Sequence, residues 1–167
     1  MSRDFTDNLL ERWASILPET GIEDLQVTTR LARIGRHLAR REEEVFERFG
    51  LNRGEVGVLS ALRISGPPHQ LSPTRLGKGL MLSSAGVTSR LDRLERRGLL
   101  TRTADPDDRR GVVVELTPQG LELVDGAVRA NIGNEHQALG RLDRKEIATL
   151  EGLLRKVLTG LELPEID

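Results

Sequence analysis

The stretch from Ser83 to Gly120 constrains this chain more than any other part of it. Val87, Leu91 and Leu94 recur at i, i+4 and i+7, the spacing of a helix with one apolar stripe turned to a core. Ser83 or Ser84 can cap that helix by accepting a bond from an orphan N–H, and Gly98 supplies its stop. Leu99 to Arg102 and Val112 to Leu116 are short β-prone runs on either side of the polar turn Asp105-Pro106-Asp107-Asp108-Arg109-Arg110-Gly111, which predicts a hairpin. Thr117-Pro118 then opens another helix, with threonine as cap and proline at the first helical position.

A helix that feeds directly into a basic hairpin suits duplex DNA. The helix can enter the major groove while the hairpin reaches the backbone or the minor groove. Ala85, Gly86, Thr88, Ser89 and Arg93 lie largely off the apolar stripe. Small and hydroxyl side chains there let the backbone approach base edges, and the fork of Arg93 matches O6 and N7 of guanine. Thr88, Ser89 and Arg93 are therefore the expected base readers, with Ser84, Arg75 and Lys78 on phosphate. In the hairpin, Asp108 stands two residues before Arg110 and is placed to brace and aim it, while Arg109 adds charge toward the backbone. The alternative for the helix is an ordinary solvated face, and for the hairpin tip an ordinary charged loop.

These residues closely resemble the winged helix-turn-helix of the MarR family of bacterial transcription regulators. The resemblance is carried by Ser89-Arg90-Leu91-Asp92-Arg93-Leu94-Glu95-Arg96-Arg97-Gly98, by Asp105 to Gly111, and by Leu116-Thr117-Pro118-Gln119-Gly120. It extends over nearly the whole chain. It implies a mainly α fold with a small β-hairpin wing and a helical dimerisation region built from the N- and C-terminal helices. It also implies that Arg110 enters the minor groove from the wing, with Asp108 as its brace.

Length and charge agree with that expectation. A chain of 167 residues makes one compact domain with a sizeable core. Aromatic residues are only 2%, so leucine, valine and isoleucine must build the core. The net charge of −1 looks wrong for a DNA binder until it is mapped. Residues 75–110 hold nine basic and five acidic side chains, a local +4, which leaves −5 for the remainder. A basic reading face on an acidic body is the distribution expected of a specific DNA binder. There is no signal-peptide pattern and no long apolar run, so a cytoplasmic protein without a membrane partner is expected. Cysteine is absent, which excludes thiol sensing and cysteine metal sites.

The remaining segments read as helices. Phe5, Leu9, Trp13, Ile16 and Leu17 fall at helical spacing before Pro18. A long helix is predicted from about Ile22 to Phe49, with Val27, Leu31, Ile34, Leu38, Val45 and Phe49 as its stripe. Asn52 with Glu55 forms a capping-box pattern for a helix to about Ile64, and Ser72-Pro73 opens a short helix to Leu80. That short helix and the one after Ser84 make the helix-turn-helix pair. Beyond the wing, a helix runs from Pro118 to about Leu139, and Asp143 with Glu146 opens the last one. Its apolar residues Ile147, Leu150, Leu153, Leu154, Val157, Leu158 and Leu161 make a stripe wider than a lone surface helix needs. That stripe either docks on the chain's own core or, as the resemblance implies, forms a two-fold dimer. The organisation expected is one continuous structural domain. In it, residues 1–50 provide dimerisation and a ligand-pocket wall, residues 51–117 the DNA-binding lobe, and residues 118–167 further dimerisation helices.

The function expected is a sequence-specific DNA-binding regulator, acting as a repressor that leaves a pseudo-palindromic operator when a small organic anion binds. The chain looks most like the branch of the family with an extra N-terminal helix, which includes urate-responsive regulators. By that resemblance Trp13, Arg90 and Arg102 correspond to ligand-binding positions. Gly57 stands where the branch has an aspartate; this departure removes one urate-binding group and leaves an anion held by two arginines. No enzyme is expected: no His pairs with an acid at useful spacing, and Gly77-Lys78-Gly79 is too short for a phosphate loop. His37, His69 and His136 are scattered, so neither metal nor cofactor is expected. The competing class is a helical protein-interaction scaffold without DNA, which would have no need to concentrate basic residues on one segment.

Overall fold

The computed structural model describes residues 3–19, 21–106, 108 and 111–162. Along them, seven helices and three strands follow one another as α1 (Phe5–Ile16), α2 (Leu25–Glu47), α3 (Arg53–Ile64), β1 (Gln70–Leu71), α4 (Pro73–Gly79), α5 (Ser84–Arg96), β2 (Leu100–Ala104), β3 (Val112–Leu116), α6 (Pro118–Ala138) and α7 (Arg144–Leu161). Among the described residues, no helix is long and apolar enough to cross a membrane.

Local chemistry sets most of these boundaries. Asn52 accepts from the Glu55 N–H, and the Glu55 carboxylate accepts from the Asn52 N–H, so two orphan donors are satisfied reciprocally at the start of α3. Asp143 and Glu146 do the same for α7. Ser72 caps α4 and Thr117 caps α6, each followed by proline at a position where the missing N–H costs nothing. Of the two serines able to cap α5, Ser83 does so, accepting from the Gly86 N–H at 3.2 Å. Gly98 ends the segment in the left-handed region at φ 69°, which lets the Leu99 N–H reach back to the Leu94 carbonyl.

The hairpin forms as the sequence suggests, with β2 and β3 antiparallel and Leu100 opposite Leu116. A third strand joins it. β1 pairs with β3 through Gln70–Glu115 and Leu71–Val114, giving the order β1-β3-β2. Two residues are too few for any periodicity to announce them.

The core lies in the central lobe. Val58, Leu59 and Leu62 of α3, Leu76 of α4, Val87, Leu91 and Leu94 of α5, Leu99 and Leu100, Val114 of β3, and Val124 and Ala127 of α6 are all essentially inaccessible. The start of α6 is locked to this lobe: a Cβ on Gly120 would stand 1.9 Å from the Leu99 carbonyl oxygen. Arg63 of α3 adds a two-pronged ion pair to Asp125 of α6, with Nε at 2.9 Å from the carboxylate.

At the two ends of the chain much of the apolar surface is uncovered. In α1 the buried residues are Thr6 and Leu10, while Phe5, Trp13 and Ile16 stay exposed. In α2 only Val45 and Phe46 are buried, and Val27 and Ile34 face solvent. In α7 no residue is buried at all. Thr6 and Leu10 of α1 and Val45 and Phe46 of α2 are covered, but among the described residues nothing buries the apolar stripe of α7. The alternative in which α7 docks on its own core is therefore not what the structure shows.

Polar clasps hold α1 to α2. Arg30 reaches Asp4 at 2.9 Å and Asp7 at 2.6 Å. The Arg30 guanidinium chiefly holds the Asp4 carboxyl below its ordinary value of 3.8, and Asp7 is lowered by the Asp4 backbone N–H and then by Arg30. Because both values are lowered on folding, the stabilisation is complete above 3.8 and is lost as pH falls through the lower folded values. Protection of the α1 amides, taken relative to their intrinsic exchange rates at each pH, should accordingly fall on acidification before that of α3 or α5, and Arg30→Ala should show the lower protection already at neutral pH. Protection in α1 indifferent to both changes would contradict the clasp.

Candidate nucleic-acid interface

The reading unit is built from α4, a tight turn and α5. Leu76 anchors α4, and the Leu82 N–H bonds to the Gly77 carbonyl at 2.9 Å to close the turn. Helix α5 commits Val87, Leu91 and Leu94 to the core, so its opposite side is fixed outward. That outward side carries Ser84, Ala85, Thr88, Ser89, Asp92 and Arg96, all exposed. Arg75 and Lys78 of α4 are exposed beside it, and among the described residues no acid pairs with either. Thr88 donates its hydroxyl hydrogen to the Ser84 carbonyl at 2.9 Å. Its methyl and its oxygen lone pairs are what remain for a partner.

Three arginines occupy the flank of α5 that faces the start of α3. Arg90 donates to the Gly86 carbonyl at 3.2 Å and lies against Gly54, where a Cβ would come within 2.5 Å of its Nε. Arg97 donates to the Gly50 carbonyl at 2.8 Å. Arg93 sets its Nε 3.5 Å from Glu55 Oε1, and Arg97 Nη1 stands 3.7 Å from Glu55 Oε2. Glu55 is buried, with a side chain only 7% exposed. Arg93, expected to read bases, is therefore an arginine whose Nε faces a buried carboxylate and whose side chain is half exposed. Sequence spacing explained Glu55 as a cap and gave no signal of this second interaction.

Arg102 stands at the base of the wing. It leaves β2 to pair with Asp92 and, at 3.5 Å, with Glu95, both on α5. Two carboxylates neutralise it, and the pairs tie the base of the wing to the reading helix. Arg90 points to the α3 flank of α5, whereas Asp92 and Glu95 are on the β2 side. The structure therefore does not bring Arg90 and Arg102 together.

Trp13 is on α1 and half exposed, and α1 packs on α2. Two clefts stand out among the described residues. One of about 500 Å³ runs along α1, by Phe5, Asn8, Leu9, Glu11, Arg12 and Ser15. The other, about 270 Å³, lies between α2, α3 and α6, where Arg53 and Glu42 pair at 2.8 Å and Gly57 forms part of the wall. Neither is lined by Trp13, Arg90 or Arg102.

The wing turn is closed by the Gly111 N–H donating to the Asp108 carbonyl at 2.8 Å and the Asp105 N–H donating to the Gly111 carbonyl at 3.0 Å. Arg109 and Arg110, expected at the tip, lie outside the described residues.

A capped α4, a tight turn, an outward-facing α5 and a three-stranded wing together define a winged helix-turn-helix. Residues 49–111 match the model of the MarR family. The HTH-type transcriptional regulator PecS of Dickeya dadantii (strain 3937) is 32% identical over 150 residues, which is 90% of each chain. Among solved structures, Sco3205 of Streptomyces coelicolor, a MarR family transcriptional regulator in complex with DNA, superposes with a TM-score of 0.75 at 25% identity, over 89% of this chain and 93% of that one. A mutant of Escherichia coli MarR complexed with operator DNA gives 0.69 at 27% identity, over 82% and 96%. The chain belongs to the MarR family of winged helix-turn-helix transcriptional regulators.

Proposed function

We propose that this protein is a homodimeric repressor that binds a pseudo-palindromic operator through α5 and the wing and releases it when a small organic anion binds. The observation that carries the DNA reading is the division of labour on α5. One side is sunk in the core, and the other presents Ser84, Thr88 and Ser89 beside Arg75 and Lys78, which have no acid partner among the described residues. A protein-interaction scaffold has no use for that juxtaposition. Thr88 and Ser89 read base edges, Thr88 offering its methyl to thymine and its oxygen to a base amino group. Ser84, Arg75 and Lys78 hold phosphate. The wing arginines Arg109 and Arg110, with Asp108 as brace, add the second prong. Two relatives seen with DNA support the same reading.

The dimer follows from the uncovered apolar surface. Ile147, Leu150, Leu154, Val157, Leu158 and Leu161 form a continuous stripe on α7, and Ile16, Leu17, Ile34, Val128 and Ile132 lie exposed on α1, α2 and α6. Helices in proteins owe most of their stability to packing an amphipathic face, and no side chain of α7 is buried. A second copy covers it by two-fold symmetry, and the paired reading helices then want half-sites about one helical turn apart, ~34–36 Å. Bound there, the dimer blocks access to a promoter.

Anion release rests on Arg90. It sits on the reading helix, half buried against Gly54, with no carboxylate partner among the described residues. An anion seated there competes with the DNA-bound position of α5, and the coupling is reciprocal. Arg102 has two acids of its own and is assigned to the wing brace instead. Trp13 stays in the proposal as a wall residue on α1.

Three outcomes are expected. First, binding to a duplex selected by the protein from a random pool should weaken linearly in log K against log salt. Arg75→Ala with Lys78→Ala should flatten that slope by about 4, close to one for each of the four phosphates that the two subunits no longer neutralise. An unchanged slope removes both residues from the interface. Second, Leu154→Glu should sediment as a monomer and lose the palindromic duplex. A dimer of undiminished stability would place the interface elsewhere. Third, in a screen of organic anions beginning with urate, any compound that releases wild-type protein should fail on Arg90→Ala. Equal release from both proteins would end the role of Arg90.

A further inference from the structure

The sequence requires of residue 55 only that it cap α3, and a neutral side chain meets that need. A capping box accepts glutamine as well as glutamate at this position. Residue 55 is nevertheless a glutamate, buried, with its charge turned to the flank of the reading helix. Burying a carboxylate is costly unless it is paired and hydrogen-bonded. Here Oε2 accepts from the Asn52 N–H at 3.0 Å and Oε1 faces Arg93 Nε at 3.5 Å. Arg97, 3.7 Å from the same carboxylate, already has the Gly50 carbonyl at 2.8 Å. Arg93 has no other acid within ion-pair range among the described residues, and 46% of its side chain is exposed.

The edge that Glu55 takes is informative. A guanidinium has an Nε edge and a terminal edge formed by Nη1 and Nη2. With Nε 3.5 Å from a carboxylate fixed in the first turn of α3, and no hydrogen bond from Arg93 to another described residue, the terminal fork is left for a partner on a side chain whose rotamers are otherwise many. That fork matches O6 and N7 of guanine. Anchoring it beforehand reduces the ordering cost of each bond it makes.

We infer that Glu55 is a positioning residue for sequence recognition: through its charge it aims Arg93 at a guanine edge, and so sets specificity without touching DNA. The inference rests on the DNA-binding reading and deepens it. It returns Arg93 to the base-reading set as a buttressed group, and it gives the capping residue of α3 a second role at the groove.

Glu55→Gln separates the two roles, since glutamine keeps the cap and removes the charge. Binding of full-length protein is measured on the duplex it selects from a random pool and on a scrambled duplex, alongside thermal unfolding. The unfolding midpoint should stay near that of the wild type. The scrambled duplex should be bound at least as tightly, because a negative charge near the phosphates is gone. Discrimination between the duplexes should fall about tenfold, the scale of one good base interaction. Glu55→Gln with Arg93→Gln should discriminate no worse than Arg93→Gln alone, because the two act as one unit. Wild-type discrimination in Glu55→Gln, or additive losses in the double variant, overturns the inference. Where Glu55→Gln fails to fold, the single variants decide it. Arg93→Gln should lose discrimination while Arg97→Gln keeps it, and equal losses in the two overturn the inference. Failure of the underlying reading is seen separately: wild-type protein that selects no duplex overturns DNA recognition itself, before any variant is made.

Discussion

Everything in this molecule that bears on function depends on the burial of one side of α5. Val87, Leu91 and Leu94 are within 2% of complete burial against α3, α4 and the sheet. Each such side chain is worth about 1.5–3 kcal/mol of transfer free energy, so rotating α5 about its axis is prohibitive. The fixed rotation decides which residues face out. Ser84, Thr88 and Ser89 are outward because leucine and valine are inward. The wing inherits the same frame: Leu99 and Leu100 join the core directly after the Gly98 stop, and Arg102 ties β2 back to Asp92 and Glu95 on α5.

Charge is distributed on this frame by a simple rule. Arginines that fix geometry are given acids: Arg102 to Asp92 and Glu95, Arg30 to Asp4 and Asp7, Arg63 to Asp125. At the reading face, Arg75 and Lys78 stand exposed with no acid partner among the described residues. Arg93 belongs to both groups, with its Nε edge tethered to Glu55 and the rest exposed. Repulsion among Arg90, Arg93 and Arg97 on one flank would otherwise oppose the packing of α5 on α3, and the buried carboxylate offsets it. The same carboxylate serves folding as a cap and recognition as a buttress.

Features written in adjacent residues were legible in the sequence. Asn52 with Glu55, Asp143 with Glu146, Ser72-Pro73 and Thr117-Pro118 each announce a helix start through bonds within one turn, and all four caps form. The hairpin was equally readable, because its strands flank a turn. What escaped was tertiary. β1 exists only because β3 offers it an edge, and the Glu55–Arg93 pair joins residues 38 positions apart on different helices. Arg102 corresponds to a ligand position by resemblance alone, and the acids it pairs with lie on another element. The stripes of α1 and α7 showed apolar faces without showing what covers them, since periodicity encodes a face and not its partner. Arg109 and Arg110, which carried much of the family resemblance, lie outside the described residues.

The proposed function turns on DNA meeting the outward side of α5 together with α4. Amide chemical-shift mapping of the protein on titration with its selected duplex tests this most directly. The largest changes are expected at Ser84, Thr88 and Ser89 and at Arg75 and Lys78, with α7 unaffected. Changes confined to α1 and α7, with α4 and α5 silent, would contradict it.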